Sequence, residues 1–418
     1  MKHSKRRILS SHVGSLIRPQ ALQSQLRAKA AGEGYDAQAH AECLRESVAE
    51  VVREQAKVGI DVVSDGEYGK SISWSQYALE RLAGFERRRL PADAADPFAR
   101  GADRARFPEF YAELDEIDAR PAGGAGGRMK FDSVCVAPIR YTGHAALARD
   151  IDNFRAALGN VKVEEAFMPV AAPASVIPDR RNEYYKTDEE LVVAIAEAMR
   201  EEYRTIVEAG FLLQIDDARA AVSFDRMVPP KSLATYRKWL GLHQDLLNHA
   251  LEGIPEDRVR YHVCWGSWPG PHVTDVPIRD IADLILRVRA GAYALEMANP
   301  RHEHEWRVWE SVKLPAGKLI LPGVISHATN IVEHPELVAE RIVRLAKLVG
   351  RENVIASTDC GFAQGPFHRR VHPSIQWAKL EALVAGAKLA TKALWRPSSR
   401  AATAKRKTAR RAPAKRRK

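Results

Sequence analysis

The chain is poor in cysteine, with four in 418 residues. So few exclude a disulfide-stapled scaffold and fit a reducing compartment, where a thiol is free to act as a thiolate. No Cys-x-x-Cys pair occurs either, so the close paired thiols of a structural zinc loop are missing. No apolar run reaches the length of a bilayer span, and no membrane association is expected. The start, Met-Lys-His-Ser-Lys-Arg-Arg, is basic but leads into no long apolar stretch, so no signal peptide is read there. A cytoplasmic protein is expected. Also absent are a Gly-x-Gly-x-x-Gly after a strand and a phosphate-loop motif, which leaves nucleotide-binding folds without support.

What is present begins with charge. The net charge of +11 is uneven: residues 396–418 hold eleven of the 64 Lys and Arg and no Asp or Glu. The remaining body is neutral, with 53 basic and 53 acidic residues. Two units follow: a domain over 1–395 and an Ala/Lys/Arg/Pro-rich tail over 396–418, expected to be disordered. Such a tail can bind nucleic-acid backbones by counterion release. A nucleic-acid-binding protein is therefore the non-enzymatic reading. Hydrophobic content of 45% is ample for a real core.

From Ile8 to about Leu394, strand-like and helix-like segments alternate. Strands are expected at 8–13, 61–64, near 131–139, 165–170, 211–215, 260–264, 292–296, 319–324 and 354–357. Helices are expected at about 37–57 and 187–209, the second opened by Thr187 with Glu190 three residues on. Ile278, Ile281, Ile285 and Val288 suggest another helix, as do Leu337, Ile342, Leu345 and Leu348. Repeated strand–helix units argue for a parallel sheet with helices outside, and the count fits an α/β fold, a closed (β/α)₈ TIM-type barrel with decoration. A doubly wound open sheet is the alternative. Residues 85–128 break the pattern as an irregular insertion ending in Pro-Ala-Gly-Gly-Ala-Gly-Gly.

Chemistry in such a barrel gathers at the carboxyl ends of the strands. Those ends carry Ser11, His12, Gly14 and Ser15, then Asp65, Gly66 and Glu67, then Gln214, Asp216 and Asp217. Further on come His262 and Cys264, Glu296, His327, and Asp359 with Cys360. Two thiols, an imidazole and a carboxylate form a plausible zinc set: His262, Cys264, Glu296 and Cys360. His262 and Cys264 are two apart, so on a strand they face one way. Cys43 and Cys135 are read as packing residues, and His302 and His304 as surface or supporting residues rather than a second metal site. In the segment 365–372, His368, Arg369, Arg370 and His372 form either an anion site or a solvated basic loop.

Seven motifs in order carry a resemblance. They are Ser-His-Val-Gly-Ser (11–15), Ser-Asp-Gly-Glu (64–67), Gln-Ile-Asp-Asp (214–217), His-Val-Cys (262–264), Glu296, Pro-Gly-Val-Ile-Ser-His (322–327) and Asp-Cys-Gly (359–361). The chain resembles the catalytic C-terminal barrel of the cobalamin-independent methionine synthase family. The resemblance implies zinc (Zn²⁺) held by His262, Cys264, Glu296 and Cys360, and a thiol substrate activated as a thiolate. It implies that Ser15, Glu67 and Asp216 hold the backbone end of homocysteine and that His327 is the general acid. The implied reaction is that of a 5-methyltetrahydropteroyltriglutamate–homocysteine S-methyltransferase, making methionine from a small thiol and an alkyl donor.

Three departures accompany the resemblance. The long members of the family carry a second, N-terminal barrel that this chain lacks. The motif Gln-x-Asp-Glu-Pro reads Gln-Ile-Asp-Asp-Ala here. The segment Phe-Met-Pro-Val-Ala-Ala-Pro-Ala-Ser (167–175) lacks the tryptophan expected to stack on a pterin. The stretches 264–272 and 298–305 look like the short bacterial branch that includes epoxyalkane:coenzyme M transferases. Thiol addition to an epoxide is thus the alternative reaction.

Overall fold

Eight short parallel strands form one sheet. They are β1 (Leu9–Ser10), β2 (Val62–Val63), β3 (Glu165–Ala171), β4 (Leu212–Asp217), β5 (Val259–Val263), β6 (Ala292–Leu295), β7 (Leu319–Ile325) and β8 (Ile355–Thr358). From β2 to β8 each strand pairs with its neighbour in this numbering, and β8 returns to β1 with Leu9 opposite Ile355. Between β1 and β2 the circle is stitched by Asp61 N–H to Ser10 O (3.1 Å) and by Ser11 Oγ to Val62 O (3.0 Å). The result is a (β/α)₈-type barrel, seen in a computed structural model that describes residues 1–32, 34–89, 100–119, 131–159, 161–176 and 181–395.

Strand residues alternate between two cores. Leu9, Ala292, Ala294, Leu319, Leu321 and Ile355 pack together in one cluster, and Val62, Phe167 and Leu212 in another, with Met1 against both. These fill the lower barrel as side-chain layers. The larger core lies between sheet and helices. Helix Ala37–Val58 contributes Leu44, Val48, Val51 and Val52, starts on the Asp36 carboxylate and stops at Gly59. Helix Asp188–Glu208 starts as expected: Thr187 Oγ1 accepts from Glu190 N–H (3.1 Å), while the Glu190 carboxylate reaches back to Lys186 N–H (3.0 Å).

Three expectations are corrected. Ile278 to Val288 is not one helix but a 3₁₀ turn (Ile278–Asp280) and a short helix (Ala282–Arg287). The Ile278 N–H is taken by the Glu305 carboxylate (2.8 Å), and Ile281 lies outside helical dihedrals at φ −134°. All four side chains are nonetheless buried. On helix Pro335–Val349, Leu337 and Leu348 are exposed, and Val338 with Ile342 and Leu345 forms the inner face. Within 85–128, the described residues 85–89 and 100–119 form regular elements that an irregular insertion did not lead one to expect. A strand, Leu82–Arg89, pairs antiparallel with Phe131–Tyr141 in a separate three-stranded sheet, so the strand near 131–139 decorates the barrel. Helices Ala102–Arg106 and Pro108–Ala119 follow the first strand of that sheet. The glycine-rich stretch 121–127 and the tail lie outside the described residues.

The side sheet is fixed by buried charge. Arg81 donates to Glu202 (2.8 Å) and Asp150 (2.6 Å), and Tyr77 Oη to Glu202 (3.0 Å), tying the hairpin to two barrel helices. Among the described residues no helix is long and apolar enough to cross a membrane.

Candidate metal centre and active site

The carboxyl ends of the strands surround a cavity of about 540 Å³ whose lining includes Ser15, Glu67, Asp216, His262, Cys264 and Cys360. Its floor is polar. Arg260, buried on β5 two residues before His262, donates to Ser11 Oγ (3.0 Å) and His12 O (2.9 Å) and lies over the Phe167 ring. His12 is bound to Gln55 (2.7 Å), and burial pushes it down to about 4. It is a neutral structural group behind the rim.

Above this floor the three nitrogen and sulfur candidates converge. Ligand atoms of His262, Cys264 and Cys360 all lie within 4.8 Å of one another. His262 Nδ1 donates to the Ala294 carbonyl (3.2 Å), which leaves Nε2 as the free lone pair. Nε2 is buried and meets no hydrogen-bond partner of good geometry. A buried imidazole nitrogen aimed between two sulfurs is costly unless something binds there. As they stand, the three groups share protons. The Cys264 contact holds the Cys360 thiol well below its usual value against burial, with His262 adding to the effect. The same Cys360 contact, then burial, raises Cys264. Burial opposes the charged form of His262, but Cys360 and nearby carboxylates lift it to about 9. A metal ion would replace these protons, and the donor set fits one.

Glu296 stands beside this trio rather than within the 4.8 Å group. Its Oε1 accepts from Trp265 N–H (2.9 Å) and its Oε2 from Asn299 (2.8 Å), each keeping a second lone pair. Burial, then Asp359 and Cys360, push its carboxyl up to about 8. Asp359 aims this segment, since its Oδ1 accepts from Met297 and Ala298 N–H (both 2.8 Å). Gly266 lies at φ +104° and donates its N–H to Cys264 Sγ (3.2 Å); a Cβ there would sit 1.8 Å from the Trp268 ring.

Glu67 and Asp216 face the same space. Glu67 is held at φ 62°, a left-handed conformation few side chains adopt, and its Oε2 pairs with Lys70 (2.9 Å). Burial raises Glu67, with Lys70 opposing, and burial followed by Glu67 raises Asp216 to about 7. Near neutral pH the pair thus tends to keep a proton, and a cation placed between the two carboxyls would favour their ionised forms. Gly14, at φ +138°, lets the first loop pass: a Cβ there would meet Pro169 at 2.7 Å and Glu67 Oε1 at 2.9 Å. Ser15 is held by its own carbonyl, which accepts from Phe362 N–H (2.9 Å) beside Gly361.

His327 lies one layer back. It is 1% exposed, and its Nε2 bonds Ser267 Oγ (2.9 Å), which lines the cavity. Burial lowers it to about 4, so it is neutral at pH 7. Sequence reasoning did not single out Ser267, Arg260 or Asn299. Ser267 follows Cys264 by three residues, and only that closeness could have flagged it. His302 proves buried behind the site, bonded to Glu305 (2.8 Å) and Asp275 (3.1 Å) and packed on Trp265, while His304 is exposed. His368 and Arg370 line the cavity, whereas Arg369 and His372 are exposed, and His372 caps the last helix. Cys135 is buried in the core and Cys43 packs against it, as expected.

The insertion caps the cavity, contributing Arg100, Arg104, Tyr111 and Leu114 to its lining. Asp103, 2% exposed, anchors this cap: it accepts from Tyr111 Oη (2.6 Å), Val273 N–H (3.0 Å) and His272 N–H (3.2 Å).

Comparison with known proteins shows what the chain and its fold are similar to. Residues 173–379 match the family described as cobalamin-independent synthase, catalytic domain. The chain is 22% identical to a methionine synthase of Thermococcus kodakarensis over 85% of each chain. It is 24% identical to one of Saccharolobus islandicus over 92% of this chain and 95% of the relative. An uncharacterised Bacillus subtilis protein, YxjH, is 25% identical over 92% and 94%. The fold is shared with a B12-independent methionine synthase from Shewanella solved with selenomethionine, with a TM-score of 0.67, 18% identity and coverage of 93% and 99%.

Proposed function

Because the chain belongs to the cobalamin-independent methionine synthase family, we propose that it transfers a methyl group to the sulfur of homocysteine in a zinc-dependent reaction. The observation that carries this reading is the convergence of His262, Cys264 and Cys360 within 4.8 Å in the lining of a cavity that Ser15, Glu67 and Asp216 also line. His262, Cys264 and Cys360, with Glu296, would hold the zinc ion. When bound, zinc lowers the pKa of a thiol and so supplies a thiolate at neutral pH.

The chain's own residues do the rest. Glu67 and Asp216 take the ammonium of the amino-acid substrate, and Ser15 holds its carboxylate end. Each ionic contact in this buried place is stronger than at a surface. His327 handles the proton that the departing donor atom requires. The cap over residues 100–119 keeps bulk water from the sulfur. The methyl donor that the family reading implies is a 5-methyltetrahydropteroyltriglutamate.

Growth tests the reading directly. A methionine auxotroph without its own synthase should grow on homocysteine when it carries this gene. Failure to grow with and without cobalamin would overturn the methionine assignment. Zinc content of purified Cys264→Ser and Cys360→Ser should fall to background, and full zinc retention by both would overturn the metal assignment.

A further inference from the structure

The residue matched to the general acid does not face the cavity. His327 is 1% exposed, and Ser267, its hydrogen-bond partner, lines the cavity. The Ser267 hydroxyl bonds His327 Nε2 at 2.9 Å and lies 3.8 Å from Cys264 Sγ, at the edge of the ligand set. His327 Nδ1 meets no partner, so Ser267 is the imidazole's one hydrogen-bonded link among the described residues. The serine is itself fixed. Gly266, at φ +104° and without room for a Cβ, sets the turn, and Trp268 closes over it.

We propose that Ser267 is a catalytic residue, the hydroxyl that carries the proton between the substrates and His327. The proposal rests on the thiol-methylation reading above. The acceptor's S–H proton passes to Ser267 Oγ as the Ser267 proton passes to His327 Nε2. The sulfur lone pair then forms the new carbon–sulfur bond. The bond from methyl to donor breaks, with its electron pair left on the donor atom. The relay runs back, from His327 Nε2 to Ser267 Oγ to the donor atom. One proton has moved from acceptor to donor, and no oxidant, reductant or further reactant is needed. His327 is thereby the proton's store, and Ser267 the group that touches both reactants.

The test uses the full-length, zinc-loaded chain and compares Ser267→Ala, Ser267→Thr, His327→Gln and Ser267→Ala/His327→Gln. Turnover of homocysteine is measured with zinc content and the absorption spectrum of the cobalt(II)-substituted protein. Ser267→Ala should lower kcat about 100-fold, with KM for the thiol nearly constant. Zinc content and the cobalt spectrum should be unchanged, and Ser267→Thr should recover most of the rate. The double variant should be no slower than the slower single one, because a relay fails as a unit. A Ser267→Ala enzyme with wild-type kcat overturns the proposal while leaving the methylation reading intact. So does a rate loss that tracks lost zinc, which would make Ser267 structural. A wild-type chain that methylates no thiol overturns the functional reading and this proposal with it.

Discussion

Replacing Lys379 by methionine isolates the ion pair that holds the loop after β7. Lys379 sits in the last helix, Pro373–Leu394, with its side chain fully buried. Its ammonium bonds Glu333 Oε2 (2.7 Å) and the Ile331 carbonyl, while Glu333 Oε1 accepts from Ser326 N–H (2.8 Å). The pair therefore spans both ends of the loop that begins with Ser326 and His327. Removing one partner of a buried pair strands the other charge, which costs about 3–5 kcal/mol. With an m-value of about 3 kcal/mol/M, the urea midpoint of Lys379→Met should fall by roughly 1 to 1.7 M. Glu333→Gln should cost a similar amount because it strands the lysine. Lys379→Met/Glu333→Gln should return to within about 1 kcal/mol of the parent, since no buried charge remains. Urea unfolding followed by fluorescence and circular dichroism measures all four. If Lys379→Met costs under about 1 kcal/mol, or if the two costs simply add, the pair is not what holds this loop.

Other expectations follow from the same geometry. Asn299→Ala removes the partner of Glu296 Oε2 and should weaken zinc binding about 10- to 100-fold, read by competition with a chromophoric chelator. Gly14→Ala must find room for a Cβ 2.7 Å from Pro169 at φ +138°, and should cost about 2–5 kcal/mol in urea unfolding. His12 is lowered to about 4 in the folded chain against 6.5 ordinarily, so the unfolded state binds its proton first as pH falls. Stability should thus drop between about pH 6.5 and 4 by up to roughly 3 kcal/mol, and thermal melts of His12→Gln should lack this component. Cys135→Ser should leave zinc content unchanged, because this thiol lies in the packed core away from the cavity.

The barrel was legible because its strands are short apolar runs and its helices carry their own caps, as at Thr187 and Asp36. The convergence of His262, Cys264 and Cys360 was legible because residues at strand ends share one rim once the barrel closes. What sequence pattern missed depends on approach in space. Nothing local says that Arg260 reaches Ser11 across the barrel, or that Ser267 meets His327 sixty residues on. The Ile278–Val288 stretch has a helical period, yet Glu305 captures the Ile278 N–H and the helix breaks. Long charged sequence between Phe85 and Arg128 hid two helices because their order rests on one buried carboxylate, Asp103. Glu296 was read as an equal ligand, and the structure sets it slightly apart, held by Trp265 and Asn299.

Barrel closure has a consequence for how the protein is made. Leu9 of β1 pairs with Ile355 of β8, so the first strand needs a neighbour encoded near the end of the chain. At about 5–20 residues per second, a ribosome supplies that neighbour roughly 20 to 70 s after β1 emerges. For that interval the growing chain shows an unpaired strand edge and a half-built apolar interior. Cys360, the last of the three converging donors, emerges only after β8. Synthesis therefore passes through a long window of aggregation risk, and a metal held by these donors would reward folding only once that window has closed.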